Sequence, residues 1–187
     1  MMKKVILLGD SIRLIGYGKR TAELLSPDFS VWQSEDNNRY AKYTFRECRN
    51  MEQELENVDI IHWNNGLWDI QQQLDGEVLT PLDRYVEDMV RLAKLLQKHA
   101  KVVIFATSTP VRREQEPIMR NADIEAYNAA VVPVLQKMGV VINDLHSAVS
   151  ADVYRYICDD TIHLSQDGIE LCAKMVEKAI RKQAEML

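Results

Sequence analysis

The stretch VILLGDSIRLIGYG, residues 5–18, decides how this chain is read. Val5 to Leu8 form an apolar run that suits a strand covered on both faces. The run stops at Gly9-Asp10-Ser11, and a helical pattern follows. Ser and Asp are good helix caps and glycine suits a turn, so capping alone accounts for the tripeptide. The same arrangement puts a small hydroxyl at the carboxyl end of a strand, where open α/β sheets bind ligands. Ser11 is a nucleophile only if the rest of the chain supplies a base, a residue to orient it and an oxyanion site.

Outward from this stretch, short apolar runs alternate with helical periodicity. The further runs are Phe29–Trp32, Val58–Trp63, Val102–Ala106 and Val140–Ile142. Leu82, Tyr85, Val86, Met89, Ala93 and Leu96 recur at steps of three and four, which predicts a helix with one apolar stripe. Ser165 is placed to cap a last helix whose stripe is Ile169, Cys172, Val176, Ala179 and Ile180. A helix over 121–138 contains Pro133, which is expected to kink or split it, and Gly139 suits its stop. The alternation predicts an α/β protein, a three-layer α/β/α sandwich forming one domain over residues 1–187.

Composition excludes more than it selects. With 187 residues, 47% apolar and 27% charged, the chain is ordinary for a globular domain with a sizeable core. A net charge of −5 with no basic cluster argues against a nucleic-acid surface. Cys48, Cys158 and Cys172 are widely spaced, with no CxxC pair, and read as three reduced thiols in a cytoplasmic protein. The apolar run after MMKK is too short for a secretory signal, and no stretch approaches a membrane span.

The second informative stretch is DDTIHLSQDG, residues 159–168. A base for a serine must be a neutral imidazole whose far nitrogen is held by a carboxylate. Asp160 and His163 lie three residues apart before the last helix. A turn there allows Asp160 to grip Nδ1 while Nε2 faces Ser11. With Gly9-Asp10-Ser11 after the first strand and Asp160-Thr161-Ile162-His163 before the last helix, the chain resembles the SGNH hydrolases, the GDSL esterase/lipase superfamily. The resemblance spans residues 5 to 180. It implies a flavodoxin-like, five-stranded parallel sheet of order 2-1-3-4-5, with Ser11, Asp160 and His163 as the catalytic triad. It implies no metal and no cofactor.

The middle blocks depart from the family pattern. Where the family has a glycine after the second strand, whose N–H serves the oxyanion hole, this chain has EDNNRY. Asn38 takes that place in the resemblance, with Asn37 next. The family's Gly-x-Asn-Asp is here Gly66-Leu67-Trp68-Asp69, with Trp in place of the donor Asn. Either the Trp68 indole donates, or Asn64 or Asn65 supplies the amide; Asn64 is the favoured reading. The N–H of Ser11, at a helix N-terminus, is the remaining donor.

Other features are weighed and set aside. GYGKRT, residues 16–21, lacks the glycine and hydroxyl of a P-loop and reads as a flexible segment behind the nucleophile. His62, His99 and His146 form no metal set: His62 reads as a core residue, His99 as a helix end and His146 as a possible support. Asp10, Asp69 and Asp144 read as turn and network carboxylates. Trp63 reads as core, while Trp68 and Tyr17 are candidates for a wall near the site. Arg112 and Arg113 either bind an anionic substrate or are solvated.

The expected activity is hydrolysis of a small-molecule carboxylic ester through an acyl-enzyme on Ser11, with a short-chain acyl or acetyl group, carbohydrate-linked in one version. Two alternatives stand beside it. One is a lysophospholipase or thioesterase with the same triad; the other is a degenerate small-ligand binding module without hydrolase activity. The sequence leaves the oligomeric state open and implies neither a membrane nor a nucleic acid as partner.

Overall fold

The computed structural model describes residues 2–187. Five strands, β1 (Lys3–Gly9), β2 (Phe29–Gln33), β3 (Val58–Asn64), β4 (Ala100–Ala106) and β5 (Val141–Asn143), form one parallel sheet of order β2-β1-β3-β4-β5. This is the order the family resemblance implies. Each strand falls on one of the five apolar runs. The register sets Gly9 beside Asn64 and Ala106 beside Asn143, so the carboxyl ends of these strands meet at one edge.

Helices cover both faces. α1 (Gly18–Leu25) packs with α7 (Gln166–Ala184) on one side; α2 (Ala41–Glu47), α3 (Leu82–His99) and α4 (Asn121–Lys137) pack in sequence on the other. Right-handed crossovers require this division, because the chain steps outward to β2 and then reverses past β1. Two short helices, α5 (Leu145–Ser150) and α6 (Val153–Tyr156), carry the chain back toward α7. The α3 stripe buries Tyr85, Met89, Leu92, Ala93 and Leu96, and α7 buries Cys172, Ala173, Val176 and Ile180. Trp63 is fully buried against Phe105, with ring centroids 5.0 Å apart, so it belongs to the core.

Two local expectations are corrected. Pro133 does not split α4, which runs as one helix from Asn121 to Lys137. Pro133 and Ala129, whose carbonyl loses its helical donor, are both exposed, so water takes the lost bond. The helix stops where expected: Gly139, at φ 83°, donates to Gln136 O (3.0 Å) while Val140 N–H reaches Leu135 O (3.1 Å), a Schellman end.

GYGKRT is not a loose segment. The chain from Ile12 to Tyr17 is a wide helical turn that kinks at Gly16 before α1 begins. A Cβ on Gly16 would meet Leu164 Cδ1 at 3.3 Å, and one on Gly18 would sit 2.7 Å from Arg13 O. Gly18 leaves no room for a side chain beneath the site, while at Gly16 the Leu164 side chain would have to give by a few tenths of an ångström.

Ser165 caps α7, its hydroxyl accepting from Gly168 N–H at 3.1 Å. Here the glycine matters too, because a Cβ on Gly168 would lie 2.1 Å from the backbone oxygen of Tyr156. Backbone cannot swing aside as a side chain can. Gly168→Ala is therefore expected to cost about 1–3 kcal/mol, the usual range for overpacking. A urea midpoint lowered with an unchanged m-value would show it.

Candidate active site

Ser11 opens the helical turn after β1, and His163 approaches it from the segment between α6 and α7. Ser11 Oγ lies 2.8 Å from His163 Nε2, and His163 Nδ1 lies 2.7 Å from Asp160 Oδ2. Asp160 Oδ1 also accepts from the N–H groups of Ile162 (3.0 Å) and His163 (2.8 Å). Partial burial pushes this carboxyl up, but those hydrogen bonds outweigh it and hold it well below the usual carboxylate range. Ionised, Asp160 can only accept, so Nδ1 carries a proton, and in the neutral imidazole Nε2 is left to accept from Ser11 Oγ–H. The structure thus brings the three residues together across 152 positions of chain.

The loop that presents the pair is tightly wound. Cys158 N–H donates to His163 O (2.8 Å), Thr161 N–H donates to Cys158 O (3.0 Å), and Thr161 has φ 75°, unusual for a β-branched residue. Behind Ser11, Gly9 at φ 147° leaves room for the Asn64 amide, which a Cβ there would meet at 2.0 Å. Asn64 Nδ2 donates to Asp10 Oδ1 (2.7 Å), Asn64 Oδ1 accepts from Tyr17 O–H (2.9 Å), and Asp10 Oδ1 also accepts from Ile12 N–H (2.9 Å).

This network shows which polar groups of the candidate oxyanion donors already have partners. Asn64 Nδ2 gives one of its two hydrogens to Asp10, its Oδ1 accepts from Tyr17, and Asn64 does not line the cleft that holds Ser11 and His163. Asn65 is fully buried, with Nδ2 donating to Arg39 O (2.7 Å) and Oδ1 accepting from Thr44 O–H (3.0 Å). The N–H of Asn38 donates to Gly9 O at 3.1 Å, so it cannot face a substrate. Asn37 from the second loop and Leu67 and Trp68 from the third line the cleft holding Ser11 and His163. Neither the Asn37 N–H nor the Trp68 indole N–H has a partner among the described residues. Tyr17 is fully buried and forms no wall.

The cleft has a volume of about 360 Å³. Leu14, Ile15, Leu67, Trp68, Met119 and Ile162 supply apolar walls, and Asn37 and Gln71 are the polar side chains beside Ser11 and His163. No Lys, Arg, Asp or Glu lines it. A larger hollow, about 1010 Å³, lies at the opposite ends of the strands among Lys4, Asp59 and Lys101, without a nucleophile–base pair. Among the described residues, no group of three or more His, Cys, Asp or Glu side chains could hold a metal ion. No helix of the described residues is long and apolar enough to cross a membrane.

The remaining candidates fall elsewhere. His62 is buried beside Asn143 Nδ2 (3.3 Å) and edge-on to Tyr17, and burial pulls its imidazole down to about 3. His146 lines a separate surface hollow with Asp144, which caps α5 through Ser147 N–H. His99 ends α3. Arg113 is exposed. Arg112 is neither solvated nor in the cleft; its guanidinium is bonded to the loop that carries Asp160. Sequence reasoning also passed over Arg13, fully buried, whose Nη2 donates to Gly9 O (3.0 Å) and Asp36 O (2.8 Å). Its partners are mostly backbone oxygens, which no sequence motif marks.

Solved structures of lipases, acylhydrolases and an acetyl xylan esterase share this fold. A lipase/acylhydrolase from Enterococcus faecalis superposes with a TM-score of 0.83 at 19% identity over 97% of both chains. The acetyl xylan esterase AlAXEase gives 0.80 at 17% identity, over 95% of this chain and 99% of its own. A GDSL-like lipase from Bacteroides thetaiotaomicron gives 0.77 at 14% identity, over 97% and 89%. No family model matches the chain, and no curated protein matches it in sequence. The architecture is the SGNH hydrolase fold.

Two buried carboxyls near the site respond to pH in a definite direction. Burial pushes Asp10 up to about 6, against the Asn64 amide and Ile12 N–H, and one of its oxygens has no partner. Burial pushes Asp69 up to about 7, against the Thr80 hydroxyl and Ala41 N–H. The folded state therefore keeps protons that the unfolded chain releases near pH 4, so this stabilisation is full below that pH and is lost as pH rises toward 7. Asp69→Asn, which retains an acceptor for Ala41, is expected to flatten the fall in stability between pH 5 and about 8. Urea denaturation at several pH values would check it; parallel curves for the two proteins would contradict the assignment.

Proposed function

We propose that this protein is a serine esterase that cleaves carboxylic esters through an acyl-enzyme on Ser11. The observation that carries this reading is the unbroken hydrogen-bonded chain from Ser11 Oγ through His163 to the ionised Asp160. A binding module has no need of a hydroxyl aimed at a neutral imidazole nitrogen. The fold's likeness to lipases, acylhydrolases and acetyl xylan esterases supports ester hydrolysis as the reaction class.

In this mechanism Ser11 Oγ attacks the ester carbonyl as its proton passes to His163 Nε2. Asp160 stabilises the imidazolium and holds its Nδ1–H in place. The tetrahedral oxyanion is met by the N–H of Ser11, which lacks an intrahelical acceptor as the first residue of its turn. The N–H of Asn37 and the Trp68 indole are the further donors, replacing Asn38 and Asn64 in that role. His163 then protonates the departing alcohol. Water attacks the acyl-enzyme with His163 again as base, and Ser11 is restored.

The cleft walls favour a short aliphatic acyl group. A carbohydrate needs several polar partners, and this cleft offers two polar side chains beyond the reacting pair, so the sugar-linked version draws less support. Each methylene buried in such a cleft is worth about 0.8 kcal/mol, roughly fourfold in kcat/KM.

Hydrolysis of p-nitrophenyl esters from acetate to octanoate is expected to rise over the first few carbons and then level as the chain outgrows the cleft. Ser11→Ala is expected to be inactive throughout and to resist labelling by a fluorophosphonate that marks the wild type. A wild type that neither hydrolyses the series nor takes the label would leave the binding-module reading standing. Trp68→Phe keeps the ring and removes the N–H. It is expected to lower kcat about tenfold or more, oxyanion donors being worth up to 10²–10³; an unchanged kcat would remove Trp68 from the mechanism.

A further inference from the structure

We infer that Arg112 is a positioning residue that sets Asp160 and His163 against Ser11, an inference that rests on the esterase reading of the site. Arg112 follows β4 and belongs to neither motif of the triad. Its Nε and Nη2 both donate to Ile157 O, at 3.0 and 2.6 Å, and Nη2 also reaches Tyr154 O at 3.2 Å. Nη1 meets Asp159 Oδ1 at 3.0 Å, and the Arg112 backbone N–H donates to Thr161 O at 2.9 Å. One residue thus holds four positions of the segment that ends in Asp160 and His163.

The segment's other ties run to α7 and the core: Ser165 N–H donates to Tyr156 O (2.8 Å), the Ser165 hydroxyl to Arg155 O (2.6 Å) and Arg155 Nε to Asp167 Oδ2 (2.8 Å), and the Ile157 side chain is buried. α6 is four residues long, and a single bridge joins Ile157 to Leu164. The bonds Cys158 N–H to His163 O and Thr161 N–H to Cys158 O lie within the segment. They set its shape without setting where it stands relative to Ser11. The polar tether to the sheet comes from the β4 loop, where Gln115 Oε1 also accepts from the Thr161 hydroxyl at 2.8 Å. Thr161, β-branched at φ 75°, holds that backbone only while its surroundings impose it. Arg112 and Gln115 do so from one side.

The arginine is specific to this task. Its planar fork spans two backbone carbonyls at fixed angles, which a lysine ammonium cannot reproduce. The Asp159 carboxylate is wholly exposed while the Arg112 side chain is 16% exposed, so the ion pair is the minor part and the carbonyl bonds the major one. Displacing a general base by about 1 Å costs on the order of 10² in rate. The effect is expected in kcat, because no atom of Arg112 lines the substrate cleft.

The test compares wild type with R112A, R112K and D159N, using steady-state kinetics on p-nitrophenyl butyrate, thermal melting, and proton NMR of the His163 Nδ1–H in the ligand-free protein. Arg112→Ala is expected to lower kcat between tenfold and a hundredfold with KM within about twofold, and to weaken or broaden the downfield Nδ1–H signal. Arg112→Lys, the milder change should Arg112→Ala fail to fold, is expected to recover little of the loss. Asp159→Asn is expected to stay within about twofold of wild type. A folded R112A with wild-type kcat and an intact Nδ1–H signal would overturn the inference. So would full recovery in R112K, since charge alone would then suffice. If wild type itself lacks Ser11-dependent hydrolysis, the esterase reading fails, and the NMR comparison still decides whether Arg112 holds the His163–Asp160 pair.

Discussion

The site depends on a missing side chain at Gly9. At φ 147° its backbone lets the Asn64 amide lie where a Cβ would be, 2.0 Å from Asn64 Oδ1. Gly9 N–H donates to Asn38 Oδ1 (3.0 Å), while Gly9 O accepts from Asn38 N–H and from the buried Arg13. Three strand ends are therefore stitched together at one peptide unit. Ser11 stands two residues beyond it, so the direction of the hydroxyl is inherited from that packing. A single methyl group would separate β1 from β3 at the point where the chemistry is expected.

The same constraint explains why the asparagines around the site are structural. A buried amide or backbone N–H left without a partner is costly, so a tightly joined set of strand ends consumes its polar groups internally. The Asn64 and Asn65 side chains and the N–H and Oδ1 of Asn38 are bonded in this way, while the buried Asn38 Nδ2 has no partner among the described residues. Donors for a ligand must come from the next layer outward, where loops face the cleft, and Asn37 and Trp68 occupy that layer. Arg13 adds a further cost. It is fully buried, and backbone oxygens of the β2 loop take its hydrogen bonds, which fixes the loop carrying Asn37.

Ser11 and the Asp160–His163 pair are held by different means. Ser11 is fixed by strand pairing and by the helical turn that follows it. Asp160 and His163 lie on a winding segment with no strand or long helix of its own, and it is pinned from the β4 loop and by the cap of α7. Asp160 is kept ionised mainly by backbone N–H groups of its own turn, so its charge is settled locally while its location is not.

Much of this was legible in the sequence, and the remainder divides along a physical line. Five apolar runs became five strands because continuous β-branched and aliphatic segments of that length suit a sheet covered on both faces. The long helices were visible because their buried stripes repeat over many turns; α2, α5 and α6 are too short to show one. Gly9-Asp10-Ser11 and Asp160-x-x-His163 could be read because each acts within a single turn of chain. Pro133 could not be judged, since its cost depends on whether Ala129 O faces water. Nor could the choice between Asn38 and Asn37, or among Asn64, Asn65 and Trp68, because neighbouring residues in one loop differ only in which way tertiary packing turns them. Arg112 went unread for the same reason: its partners are carbonyls some 45 residues away, and a carbonyl leaves no mark in a sequence. Local turns and periodic burial were determined by the sequence alone. Only the tertiary structure decided which polar groups are spent on one another and which are left facing the cleft.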